Sequence, residues 1–282
     1  MQSRWLSVLV MALAGASYGL VTPLAKGAVL AGIPVRLFTP WQYGLPLLIF
    51  FLVPTRTKSL PPPGQWVNAA VVGALGGATA LAYYQTVRLL PAAQAVMLLF
   101  QFAWMLPLIG RALTGVKPTW MQWGAIGAVW LGTLLTLRSF RLDGMGIILG
   151  LISALAYALM LFMQGRLAPS VSIWHSARFS TAAGALVVVA AYRPWTMGFP
   201  HPLSLIIWAS AIGVAGQALP LILTYLSAPR LGPTLTAVLA SSELPVAVAL
   251  SSLFFRESAG WPIWTGIFLI LAGIAWGAWG SA

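Results

Sequence analysis

Residues 83–96 read YYQTVRLLPAAQAV and residues 225–238 read YLSAPRLGPTLTAV. At an offset of 142, Tyr83, Arg88, Leu89, Pro91, Ala95 and Val96 fall on Tyr225, Arg230, Leu231, Pro233, Ala237 and Val238. Working outward, the register persists. Gly44 and Pro54 meet Gly184 and Pro194 at 140; Trp123, Ile126 and Gly132 meet Trp264, Ile267 and Gly273 at 141; Tyr18 meets Tyr157 at 139. Self-similarity at a near-constant period marks one architectural unit used twice. The sequence divides accordingly into a first unit over 1–138 and a second over 144–282.

Composition decides which solvent surrounds these units. Of 282 residues, 60% are hydrophobic and only 6% are charged, with a mean hydropathy of +0.91. A soluble domain carries roughly 25% charged residues, so most of this chain's outer surface must face lipid. The net charge of +12 does not point to nucleic acid, because the fifteen Lys and Arg residues stand singly or in pairs between apolar runs. They read as helix-end markers that meet lipid headgroups. Cysteine is absent from the sequence, which excludes disulfides, thiol catalysis and thiolate metal sites.

Segmenting at charges and at Pro/Gly clusters gives ten apolar spans: about 5–25, 34–53, 66–87, 91–110, 119–137, 144–165, 172–192, 203–226, 231–255 and 261–279. Each is close to the roughly 20 residues a helix needs to cross a bilayer core. The opening resembles a signal peptide, with Arg4, an apolar run and Ala14-Gly15-Ala16. The run continues through Leu24 and Ala25 and has a counterpart in the second unit, so it reads as a retained first helix. The longest loops, PTRTKSLPPPGQW (54–66) and RPWTMGFPHP (193–202), leave no room for a soluble domain.

The predicted fold class is an all-α integral membrane protein of ten transmembrane helices, arranged as two five-helix repeats. Five is odd, so the second repeat enters the membrane the other way up. Inverted repeats supply two near-equivalent packings, one open to each side, which is the architecture of alternating-access transport. Charge does not orient the bundle: alternate loops receive seven Lys and Arg each, with Arg178 left inside the seventh span.

Among only three acidic residues, Glu243 sits in LASSELPVAVAL (239–250), thirteen residues from both Arg230 and Arg256. At about 1.5 Å per residue that is near the bilayer midplane, where a charge costs several kcal/mol unless paired, protonated or hydrated. On a helix it shares a stripe with Thr236, Ala240, Ala247 and Ser251. Pro245 lacks an N–H, which leaves the Ser241 carbonyl without its helical partner. The expected cluster is therefore Glu243 with Ser241 and Ser242. Gln101, also mid-span and followed by Pro107, is the repeat mate of Glu243 and is expected to face it across the twofold axis. Two readings stand. Glu243 attracts an ammonium group or takes up a proton in a substrate cavity, or it is structural, protonated or tied to Arg178.

Tyr18, Tyr83, Tyr157 and Tyr225 are further cavity candidates because they occupy repeat-related positions. Trp104, Met160, Met163, Gln164 and Gln217 join them: aromatic and Met side chains make adaptable apolar walls and the amides orient a ligand. For each aromatic the competing reading is packing or the interfacial belt, to which Trp5, Trp66, Trp120, Trp195, Trp261 and Trp279 are assigned. Pro23, Pro46, Pro107, Pro220 and Pro245 interrupt spans, as hinges for rocking or as static kinks. Gly73 and Gly77, like Gly273 and Gly277, have the spacing that lets helices touch. The sequence contains neither a Walker loop nor an H-E-x-x-H motif, and His175 and His201 stand alone.

With TAVLASSELPVAVALSSLFFRES (236–258) in the second of two five-span repeats, the chain resembles the drug/metabolite transporter superfamily in its ten-helix EamA-type branch. The match rests on small residues, a Glu near a Pro and a closing Glu: Glu243, Pro245 and Glu257. The first repeat departs from this pattern, with Arg111 where a closing acid is usual. Within the branch the likeness is greatest to the YddG-type exporters of aromatic amino acids. The resemblance implies export of amino acids and related small metabolites across a bacterial inner membrane, with both termini cytoplasmic. It implies a cavity between helices 1, 3, 4, 6, 8 and 9, and no catalysis. Expected partners are the small-molecule cargo and membrane lipids, with proton coupling through Glu243 (H+) and downhill facilitated export both open, and with no nucleic acid, metal or cofactor. The alternatives are a nucleotide-sugar or sugar-phosphate carrier, which would want a mid-span Lys or Arg, a multidrug exporter of the same fold, and an intramembrane enzyme.

Overall fold

The structure, a computed structural model, describes residues 2–52, 63–115, 117–137, 143–167, 172–198, 202–256 and 260–279. Among them the secondary structure is helical throughout. The first half holds α1 (Gln2–Leu30), α2 (Val35–Trp41), α3 (Gly44–Leu52), α4 (Pro63–Leu89), α5 (Ala92–Leu99), α6 (Phe102–Thr114) and α7 (Trp120–Leu137). The second holds α8 (Gly144–Gln164), α9 (Ile173–Tyr192), α10 (Pro202–Gly213), a π-helical turn (Val214–Ala218), α11 (Leu219–Ala240), α12 (Glu243–Phe255) and α13 (Trp261–Trp279). Six described stretches are long and apolar enough to cross a membrane, α1 and α8 among them. The all-α fold class holds.

Several spans are broken helices. The second consists of α2 and α3 around Gln42 and Tyr43, and the fourth of α5 and α6 around Phe100 and Gln101. A matching break at Ser241–Ser242 makes Glu243 the first residue of α12. There the carbonyl of Ser241 is not left open, as Pro245 suggested. The Leu244 N–H reaches it at 3.2 Å in a tighter turn, as backbone in an apolar medium must find an internal partner. The boundary expected between spans eight and nine, near residues 226–231, is also absent as a break: helical backbone runs through it to Ala240.

The halves exchange contacts in a regular way. Helix α1 packs along α11 and α12, and its repeat mate α8 packs along α4 and the α5–α6 pair. Helix α4 lies on α9, and its mate α10 lies on α2. Helices α7 and α13 pack on each other, as do α5 and α12. Such exchange is what a twofold axis between the halves produces.

Glycines show the same relation at atomic scale. A Cβ on Gly73 would overlap the backbone carbonyl of Ser180, and a Cβ on Gly213, its mate at 140, would overlap that of Gln42. On α7 and α13, a Cβ on Gly132 would stand 2.6 Å from the Gly266 carbonyl oxygen, and one on Gly273 3.0 Å from that of Ala125. These helices pack backbone to backbone, as small residues permit in lipid.

The outer face is apolar, with Leu9, Leu13, Leu186 and Phe268 exposed. Trp5, Trp120, Trp195 and Trp261 are exposed at or near helix ends, while Trp66 stacks on Phe179 at 4.7 Å. The Trp279 side chain, Pro54, His201 and Glu257 lie outside the described residues, and Gly277 sits in the last turns of α13. Within the bundle, α5, α12 and α13 share an apolar core around Met97, Leu244 and Ile270.

Candidate functional site

A cavity of about 200 Å³ lies where the halves meet. It draws lining residues from α1, α4, α5, α8, α9, α10, the π turn, α11 and α12, and from the Gln42–Tyr43 break. Repeat mates line it in pairs: Tyr18 with Tyr157, Val21 with Met160, Gly73 with Gly213, and Gly76 with Gly216. The cavity therefore straddles the twofold relation. Its volume holds several waters or one small solute, given about 30 Å³ per water in the liquid.

Glu243 is part of this lining. It comes close to α1 because Gly19 has no side chain: a Cβ there would lie 2.8 Å from the Glu243 carbonyl oxygen. Tyr83 and Tyr157 lie within electrostatic reach of the carboxylate, and Tyr18 is near Tyr157. Among the described residues none gives Glu243 a hydrogen bond or a counter-charge. Arg178 is engaged elsewhere, its Nε donating to the Phe50 carbonyl at 2.8 Å and its guanidinium 5.5 Å from the Phe51 ring centre. Among the described lining residues there is one carboxylate and no Lys, Arg or His.

Hydrogen bonds hold the polar walls. Thr22 and Tyr83 share one of 2.5 Å between α1 and α4. Tyr84 donates to Gln42 Oε1 at 2.6 Å, tying α4 to the broken second span. Gln217 donates to Thr181 at 3.1 Å. The π turn has a local cause. Leu219 N–H bonds to the Val214 carbonyl, five residues back, and Pro220 has no N–H to offer Ala215. The orphaned Ala215 carbonyl is taken by the Ser17 hydroxyl of α1 at 2.9 Å.

The structure thus places Glu243, Tyr18, Tyr83, Tyr157, Met160, Gln164 and Gln217 on one cavity. Others stand apart from its lining. Gln101 donates to Thr133 at 2.7 Å and to the Met97 carbonyl at 3.1 Å, and accepts from Trp104 at 3.0 Å. Trp104 packs edge-on against Trp130. This amide is committed to α7, and the expected face-to-face pair with Glu243 does not form. Ser242 donates to the Ala12 carbonyl at 3.1 Å and ties α12 to α1. Ser241 is buried beside it, and Met163 lies one position off the wall that Met160 and Gln164 share. The Tyr225 side chain lies outside the described residues. Pro23, Pro107 and Pro245 sit inside α1, α6 and α12, and Pro220 is the second residue of α11, just past the π turn.

Sequence reasoning missed Thr22, Gln42, Tyr43, Thr79, Tyr84, Ser176 and Ser180, all of which line the cavity. Gln42 carried a usable signal, an amide in the middle of an apolar span. The others are small hydroxyls and packed tyrosines that read as ordinary core.

The fold and cavity are those of an inverted-repeat membrane carrier, and comparison with known proteins narrows the class. The chain belongs to the EamA-like transporter family, whose pattern it matches twice, over residues 5–138 and 144–277. It is therefore a membrane transporter of the drug/metabolite transporter superfamily. A solved crystal structure is similar over 97% of this chain and 96% of its own, with a TM-score of 0.63 and 17% identity. That likeness concerns the fold alone. No curated protein matches the chain.

Proposed function

We propose that this protein exports small amine-bearing metabolites, amino acids and aromatic ones among them, by alternating access through the central cavity. The observation that carries the reading is the lining itself: a lone carboxylate beside tyrosines, with no basic residue among the described ones. Such a wall favours an ammonium group next to an apolar or aromatic body. It disfavours sugar phosphates, whose charge would need Lys or Arg. In this reading Glu243 holds the ammonium or, when the cavity is empty, a proton. Tyr18, Tyr83, Tyr157, Met160 and Gln217 shape the pocket, and Pro23, Pro107, Pro220 and Pro245 mark where the helices bend between states. The two five-helix halves run in opposite directions, the protein sits in a bacterial inner membrane with both ends in the cytoplasm, and its kinship is to the YddG-type exporters.

Uptake into proteoliposomes tests this with a panel of amino acids, amines and sugar phosphates, with and without a pH gradient. Saturable movement of aromatic or other neutral amino acids is expected. Movement of sugar phosphates alone would overturn the assignment, and indifference to the gradient would remove proton coupling.

A further inference from the structure

A second cavity, of about 240 Å³, opens at the end of the bundle where α1 and α4 both finish. Its walls are the α1–α2 turn, with Val29, Ile33 and Val35, together with Arg36, Gln85 and Arg88. Both arginines are exposed, Arg36 in the first turn of α2 and Arg88 in the last turn of α4. Helix α9 is tied to this wall through Gln85. Tyr192 accepts a 3.0 Å hydrogen bond from Gln85, and its hydroxyl is within electrostatic reach of both guanidiniums. The frame is fixed by Lys26, whose Nζ donates to the Val87 and Leu90 carbonyls at 3.0 and 2.9 Å.

Two like charges beside one hollow repel unless something neutralises them. The chain has only three carboxylates. Asp143 caps α8 by accepting from Gly146 N–H at 2.7 Å, Glu243 lines the central cavity, and Glu257 lies outside the described residues. Among the described residues, then, no acid is positioned for Arg36 or Arg88. The repeat does not duplicate the pair either: the positions matching Arg36 at offsets of 139 and 140 hold His175 and Ser176. The hollow lies where helix ends meet headgroups.

We infer that Arg36 and Arg88 form an anion site that takes a phosphate group, with Gln85 and Tyr192 as neutral partners and Val29, Ile33 and Val35 as an apolar floor. Guanidinium forks match phosphate oxygens in bidentate geometry, and basic pockets between transmembrane helices suit anionic headgroups. The phosphate belongs to an anionic phospholipid or is free in solution. Either way, bound phosphate bridges α2, α4 and the end of α9. It is separate from the cargo cavity.

Native mass spectrometry of the full chain, offered phosphatidylglycerol and phosphatidylcholine, reads the lipid source, and calorimetry with inorganic phosphate reads the soluble one. A chain of net charge +12 binds anionic lipid elsewhere too, so the readout is the loss of one bound phosphatidylglycerol. Replacing both residues (Arg36→Gln with Arg88→Gln) should remove that lipid, weakening its binding about tenfold or more, as expected for lost charge-assisted hydrogen bonds. The pair Arg36→Lys with Arg88→Lys keeps charge, loses the fork, guards against a folding failure and should fall between. Phosphate binding that disappears in the Gln variant assigns the site to a soluble anion. The same lipid distribution in all three proteins, with no phosphate binding that depends on Arg36 and Arg88, would overturn the site.

Discussion

The hydroxyls of Thr22 and Tyr83 lie 2.5 Å apart on the wall of the central cavity, joining α1 to α4. Thr22 is 1% exposed and Tyr83 5%, so neither hydroxyl has bulk water to turn to if the other is removed. A net hydrogen bond is worth about 0.5–1.5 kcal/mol, and an orphaned buried group costs about 1–3 kcal/mol. Tyr83→Phe should therefore lower stability by about 1–2 kcal/mol in detergent melts. Thr22→Val with Tyr83→Phe should cost less than the sum of the single changes; additive losses would show that the contact contributes nothing.

Replacing Glu243 with Gln removes the one carboxylate in the described lining while keeping its shape. Transport of an ammonium-bearing cargo should fall at least about tenfold, the equivalent of ~1.4 kcal/mol, with the protein still folded. The pH profile gives a second readout. Proton and ammonium compete for one carboxylate, so wild-type flux should decline as pH falls and the variant's profile should be flat. An unchanged profile in the variant would remove Glu243 from the site.

Glycine substitutions on α4 should have opposite signs. A Cβ at Gly73 collides with the Ser180 backbone, whereas one at Gly64 meets open space. Gly73→Ala should destabilise by about 1–3 kcal/mol, as overpacking does. Gly64→Ala should be neutral or stabilising by up to about 1 kcal/mol through helix propensity. Thermal unfolding of the two variants side by side is the check.

Ser17→Ala strips the Ala215 carbonyl of its partner beside the π turn. Loss of about 1–3 kcal/mol is expected, and Ser17→Thr should restore most of it. Hydrogen exchange at residues 214–219 should rise in the Ala variant only.

Much of this was legible in the sequence, for physical reasons. Lipid leaves little choice of backbone conformation, so apolar runs become helices, and the offset near 140 exposed the repeat that becomes the twofold exchange between α1 and α8. Glu243, Tyr18, Tyr83 and Tyr157 announced themselves as polar groups inside apolar spans, and they share one cavity. Gln101 carried the same signal and misled. The break at Phe100–Gln101 leaves its amide with Thr133, and such a turn depends on tertiary packing rather than on local pattern. The partner of the carbonyl freed at the π turn was hidden as well, because Ser17 lies 198 residues away in the chain. The missing break near residue 230 shows the converse: prolines that interrupt helices in water can be carried through in lipid.

The most direct test uses the absence of native cysteine. Single cysteines at Val21 and Met160, repeat mates on the cavity wall, can be probed with an impermeant maleimide applied to one face of sealed vesicles and then to the other. The account predicts that both positions label from either face, and that a transported amino acid protects them. Labelling from neither face, or labelling that no candidate cargo slows, would contradict a cavity that opens alternately to the two sides.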